Sequence, residues 1–273
     1  MKARRSDTLA MGEGFTLVEL SIVLVIIGLL AGAIVAGQDL IRAAEIRSVV
    51  NNLSQYTTAI NAFQGKYGHL PGDMPDAESY WGSDANCPNT PSNTVYKTAT
   101  CNGDGNGFVG YIYEDTATFV SPWEFFRAWQ QLADAGMISG QYTGVTGPYT
   151  AYDVVPGVNA PMPRIKNGSW YIFSGEGTSN MWNYPFPPSL IIVFGSILDP
   201  VSYPNPGGPI LTPKEELALD SKIDDGLPAQ GRIIAQPPSS PYAPNCSTSD
   251  DPVLARYNTA YTDLACAFKE VIN

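Results

Sequence analysis

Three groups of residues in this 273-residue chain have the types and spacing to do chemistry. Cysteines stand at Cys87, Cys101, Cys246 and Cys266. They lack the Cys-x2-Cys spacing of a four-cysteine zinc site, so they read as structural disulfides in an oxidising compartment. Asn102-Gly103-Asp104-Gly105-Asn106-Gly107 places side-chain oxygens at positions 1, 3 and 5 and glycine at 6, the front half of an EF-hand-type calcium loop. Position 12, which needs a bidentate carboxylate, is Tyr113, with Glu114 and Asp115 just beyond. A Gly/Asn turn tightened by a disulfide is the competing reading. Asn102, Asp104 and Asn106 are therefore candidate ligands of a structural calcium, and no other cofactor is expected. Finally, Glu19 is a carboxylate inside an otherwise apolar run, where its charge calls for a partner.

Little here is arranged for catalysis. His69, the sole histidine, lies in Tyr67-Gly68-His69-Leu70-Pro71-Gly72-Asp73 and reads as a surface or packing residue. There is no G-x-S-x-G, Walker or dinucleotide pattern, and Phe173-Ser174-Gly175-Glu176-Gly177 lacks the nucleophile spacing. Asp224-Asp225-Gly226 offers further oxygen ligands but more simply ends a helix. No enzyme is expected. With 15 Lys+Arg against 26 Asp+Glu, a net charge of -11 and no basic stripe, neither is a nucleic-acid partner.

The element that must position Glu19 is an apolar helix. Phe15 to Ala36 is interrupted only by Thr16, Glu19 and Ser21. At 1.5 Å per residue it reaches roughly 33 Å, against a bilayer core of about 30 Å. Lys2, Arg4 and Arg5 precede it, and no basic residue follows until Arg42, which places the N-terminus in the cytoplasm. A cleaved secretory signal has a shorter apolar core than this, and a plain signal anchor leaves Glu19 unexplained.

Gly14-Phe15-Thr16-Leu17-Val18-Glu19, followed by the apolar run to Leu30, closely resembles the class III signal of type IV pilins and type II secretion pseudopilins. The resemblance implies cleavage by a prepilin peptidase between Gly14 and Phe15, and N-methylation of Phe15. In a staggered stack of such helices, Glu19 of one subunit meets the terminal amine of a neighbour. Such a pair sets register more than it adds stability. Gly28 and Gly32 supply a small-residue face for close helix packing. Many members of the family carry a proline near the end of the apolar run; Ala36-Gly37 occupies that place here.

Beyond the membrane span, Ile46, Val49, Leu53, Tyr56, Ile60 and Phe63 recur at spacings of three and four, one face of a continuing helix. Gly65, Gly68 and Pro71 end it. The expected organisation is a leader over 1–14, an N-terminal helix over 15–67 (transmembrane 15–36, periplasmic stem 37–67) and a periplasmic globular head over 68–273. In the head, Ser121-Pro122-Trp123-Glu124 and Thr212-Pro213-Lys214-Glu215 are capping boxes that open two short helices. Trp170–Phe173, Leu190–Phe194 and Arg232–Ala235 read as strands. Ser174–Gly177 and Pro204–Pro209 read as turns. The fold class is α+β: a long helix packed on a small, mostly antiparallel sheet, with two extra short helices, as in pilins. Of three cysteine connectivities, local pairing closes loops of roughly 15 and 21 residues, each contributing about 3 kcal/mol in the chain-entropy model.

The resemblance implies a structural subunit of a pilus-like fibre, most like a type II secretion pseudopilin supporting protein export. The runner-up is a type IV pilus subunit, major or minor and adhesive. From a different class comes a signal-anchored periplasmic binding or enzyme domain. Implied partners are other copies or other pilin-like subunits, the prepilin peptidase, an inner-membrane assembly platform and membrane lipid. The implied location is the bacterial inner membrane, single pass, with a periplasmic head and assembly into a periplasmic or extracellular fibre.

Overall fold

The computed structural model describes residues 16–84, 87, 99–110, 124–147, 153–177, 184–199 and 203–272. The chain falls into two compact units, 1–44 and 45–273, and helix α1 (Leu17–Tyr67) contributes to each.

In the first unit α1 runs through Gly28, Gly32 and Gly37 without a break. Its apolar side chains are exposed: Leu17 is 88% exposed, Leu24 66% and Leu29 70%. This helix is long and apolar enough to cross a membrane, consistent with single-pass anchoring.

In the second unit the remainder of α1, from Glu45, turns the three-and-four stripe inward. Val49, Leu53, Tyr56, Ile60 and Phe63 are buried, while Asn51, Ser54, Gln55, Thr58 and Asn61 on the other side are exposed. The helix stops at Gly68, which takes φ 77° and donates its amide to the Gln64 carbonyl at 2.8 Å.

The stripe packs on a five-stranded sheet: β1 (Gly168–Gly177), β2 (Phe186–Asp199), β3 (Tyr203–Gly208), β4 (Ile233–Ile234) and β5 (Phe268–Ile272). The order is β1-β2-β5-β4, with β3 on the far end of β2, and every pairing is antiparallel. Register places Trp170, Phe194 and Phe268 abreast on three neighbouring strands. The Tyr56 ring stands edge-on to Trp170 at 5.3 Å and to Trp129 of a short helix at 5.1 Å. Two residues past Phe268, on the same face, Glu270 accepts a 2.6 Å hydrogen bond from the Thr57 hydroxyl and pairs with Arg232. The stem and the sheet are thus joined by an aromatic node and a satisfied buried carboxylate.

Among the described residues the head has three further short helices: α2 (Ala77–Trp81), α3 (Glu124–Asp134) and α4 (Pro213–Ile223). The α4 capping box is present, with Thr212 and Glu215 bonded reciprocally. Of the expected α3 box only Glu124 lies within the described residues. The cysteines pair as Cys87–Cys101 and Cys246–Cys266, with Cα atoms 5.2 and 4.9 Å apart.

The sheet corrects two expected turns. Ser174–Gly177 continues β1 through a register irregularity, and Pro204–Pro209 largely belongs to β3. Proline is tolerated there because β3 pairs only with β2, over an irregular ladder that does not need every amide. A third short helix, α2, stands beside the two expected.

Glu216 of α4 is wholly buried, with Oε1 unpartnered and Oε2 3.9 Å from Cys246 Sγ, a disulfide sulfur that has no proton to donate. Burial, then the neighbouring Asp220, holds its carboxyl well above the usual range, and burial lifts Asp220 to about 7. An acid whose pKa is raised on folding binds more protons in the native state, so stability present below the unfolded pKa near 4 is lost as pH rises towards 7. Each such group adds a slope of roughly 1.4 kcal/mol per pH unit. The midpoint of thermal unfolding should therefore fall between pH 5 and pH 8. Glu216→Gln should raise the midpoint at pH 8 and flatten the slope; an unchanged slope would show that Glu216 is not a source of it.

Candidate functional site

Glu19 sits in the first turn of α1, where the helix dipole favours negative charge. Thr16 caps that turn. The Glu19 amide donates to Thr16 Oγ1 at 3.2 Å, and Glu19 Oε2 accepts from the Thr16 amide and hydroxyl, both at 2.8 Å. This is a reciprocal capping box, and it fixes the carboxylate rotamer while Oε1 receives no bond among the described residues. Gly14 and Phe15, the expected processing junction, lie outside the described residues. A Cβ placed on Gly28 or Gly32 would meet nothing within 4 Å, so the small-residue face is open.

The second arrangement belongs to the head. The structure does not gather Asn102, Asp104 and Asn106 into one cage. Asn102 turns to α2, its Oδ1 accepting from the Glu78 amide at 2.8 Å and its own amide donating to Glu78 Oε1 at 3.2 Å. Asn106 folds back on Asp104, donating to Oδ1 from its backbone at 3.0 Å and to Oδ2 from its side chain at 2.8 Å. Its own Oδ1 accepts from the Phe108 amide at 2.7 Å. Asp104 instead meets two carboxylates remote in sequence: Asp73, Asp104 and Glu124 each offer an oxygen, all within 4.8 Å of one another.

The backbone builds this convergence. Asp73 follows the stem through Pro71-Gly72, and Glu124 opens α3. The loop amides are held by their carboxylates: Gly107 donates to Asp73 Oδ2 at 3.0 Å, Asp104 to Glu124 Oε1 at 3.0 Å and Gly110 to Glu124 Oε2 at 2.9 Å. Two glycines permit the approach. A Cβ on Gly103 would lie 2.4 Å from the Asp73 carbonyl carbon, and one on Gly72 2.2 Å from the Glu124 carbonyl oxygen. Cys101 anchors the loop through its disulfide. Next to it, Arg127 and Asp84 form a buried ion pair at 3.0 Å.

Asp73 and Glu124 are each 1% exposed, whereas Asp104 is exposed. Burial raises Asp73 to about 6 and Glu124 to about 7; the Asp104 charge works in the same direction at both. Neither buried acid was legible beforehand, since no short-range spacing connects 73, 104 and 124. The available signals were Gly-Asp at the stem exit and a glutamate at a helix start. His69 is half-buried beside this exit and belongs to neither arrangement.

No protein-family model, no curated protein and no solved structure matches this chain.

Gly103→Ala should lower unfolding stability by about 1–3 kcal/mol through overpacking, read from denaturant melts of the full chain in detergent. Gly65→Ala is the comparison: it lies within α1, open space surrounds it, and the change should add up to about 1 kcal/mol. Equal, small effects would mean that the loop does not press on Asp73.

Proposed function

We propose that this chain is a structural subunit of a pilus-like fibre, a type II secretion pseudopilin in the first instance, whose work is assembly rather than catalysis. The observation that carries this reading is the first part of α1. Apolar side chains from Leu17 to Ile34 are exposed, and the only ionisable group among them is Glu19, in the first turn directly after Gly14-Phe15-Thr16. Such a surface is stable in lipid or against other helices like itself, and not in water.

In this reading the prepilin peptidase removes residues 1–14 and the amine of Phe15 is methylated. The helix then waits in the inner membrane with the head in the periplasm. On joining the fibre, Glu19 Oε1 receives the amine of a neighbouring subunit. The Thr16 capping box holds the carboxylate in place for that contact. Because two charges are neutralised only when the helices are in register, misaligned neighbours are penalised. Gly28 and Gly32 allow close helix approach. On the stem, Asn51, Ser54, Gln55 and Thr58 are exposed, a polar surface suited to contacts between subunits.

Mass spectrometry of the N-terminal peptide from the native host tests the processing. The expected species begins at methylated Phe15; a chain that keeps residues 1–14 would make it an anchored head and end the fibre reading. Glu19→Ala should stay in the membrane but fail to enter fibres, by crosslinking. Thr16→Ala, which keeps the charge and gives up a cap contributing about 1 kcal/mol, should assemble. Loss of assembly in both would mean that the Glu19 charge alone does not suffice and that the Thr16 hydroxyl must hold it.

A further inference from the structure

We propose that Asp73, Asp104 and Glu124 hold a calcium ion between the foot of the stem helix and the start of α3. Three carboxylates of this chain converge with their ligand oxygens within 4.8 Å, about twice a calcium–oxygen distance of 2.3–2.6 Å. Two of the three are shut away from water, at 1% exposure each.

Asp73 carries the argument furthest. Its Oδ2 is used by the Gly107 amide, but its Oδ1 is buried and no donor reaches it. The Asp104 carboxylate, with an oxygen within 4.8 Å of one of Asp73's, brings a second negative charge beside it. The head ion pairs Arg127–Asp84 and Arg232–Glu270 do not touch the three acids. A buried carboxylate left unpaired costs several kcal/mol. A divalent cation removes that cost at Asp73 and neutralises the charges of Asp104 and Glu124 beside it.

The donors are all oxygen, which selects a hard cation over zinc or copper. Glu124 accepts amides on both oxygens and Asp104 accepts two bonds from Asn106, so each ligand is oriented before the ion arrives. Calcium accepts the irregular, incomplete shell such a site gives and fills it with water, whereas magnesium demands a near-ideal octahedron at 2.0–2.1 Å. The remote pair Asp73 and Glu124 thus takes the place of the carboxylate that the loop itself lacks at Tyr113. The site lies wholly in the unit 45–273 and does not depend on the fibre reading.

The full chain, purified in detergent micelles and stripped with EDTA, is titrated with calcium chloride by calorimetry, with thermal unfolding followed in parallel. The expected result is one calcium per chain, a rise in the unfolding midpoint, and a smaller rise with magnesium chloride. Asp104→Asn, at an exposed side chain that leaves both buried acids in place, should weaken calcium affinity about tenfold or more. Glu124→Gln should weaken it as well, with folding checked by circular dichroism. Three results would overturn the proposal: no binding up to about 10 mM calcium, above the range of extracellular calcium modules; binding unchanged in Asp104→Asn; or equal stabilisation by magnesium. The first would mean that Asp73 and Glu124 simply keep their protons.

Discussion

The constraint on which everything else rests is that one helix has two kinds of surface to hide. From Leu17 to Ile34, Glu19 and Ser21 apart, its side chains are apolar or small on every side and the large ones are exposed; from Val49 to Phe63 only one stripe is apolar, and the head covers it. A helix that is apolar on every side has to find lipid or its own kind, while an amphipathic one can be completed by a domain. The change of pattern along α1 therefore marks where an exposed apolar surface gives way to one covered by folded protein. The head exists, physically, as the partner of that second stripe.

Within the head, the joint is more specific than apolar contact requires. Tyr56 lies edge-on to both Trp129 and Trp170, so helix α3 and strand β1 are referenced to a single stem residue. Thr57, the next residue along, bonds to Glu270 of β5. A helix sliding or turning on the sheet would break both, and a buried carboxylate that loses its donor is heavily penalised. Apolar burial supplies the adhesion, and these two contacts supply the angle.

Sequence patterns disclosed what depends on short-range periodicity and hid what depends on convergence. The stem stripe, the α4 capping box and the cores of β1 and β2 were all legible, because each writes its own spacing of two or of three and four. Strand β5 escaped because Lys269 and Glu270 break the apolar alternation, yet Glu270 is buried and satisfied from elsewhere. Strand β3 escaped because its prolines imitate a turn. In the loop after Cys101, Asp104 was recognisable as a carboxylate of interest, but the acids that converge on it were not. The chain supplies them from 73 and 124, and only the close approach at Gly72 and Gly103 brings them in. The Thr16–Glu19 reciprocity was also missed, because the resemblance drew the glutamate towards a neighbour and away from its own backbone.

The Cys87–Cys101 bond has a topological effect. It makes residues 87 to 101 a closed ring, so the mainchain route from Asp84 to the glycine loop has a covalent bypass. A single cut anywhere between the two cysteines would leave both flanks attached, and an insertion there would lengthen the ring without moving its base. Beside the bond, Thr100 pairs its backbone with Gly82 and Asp84, so the base of the ring is tied to the chain before Cys87 both covalently and through mainchain hydrogen bonds.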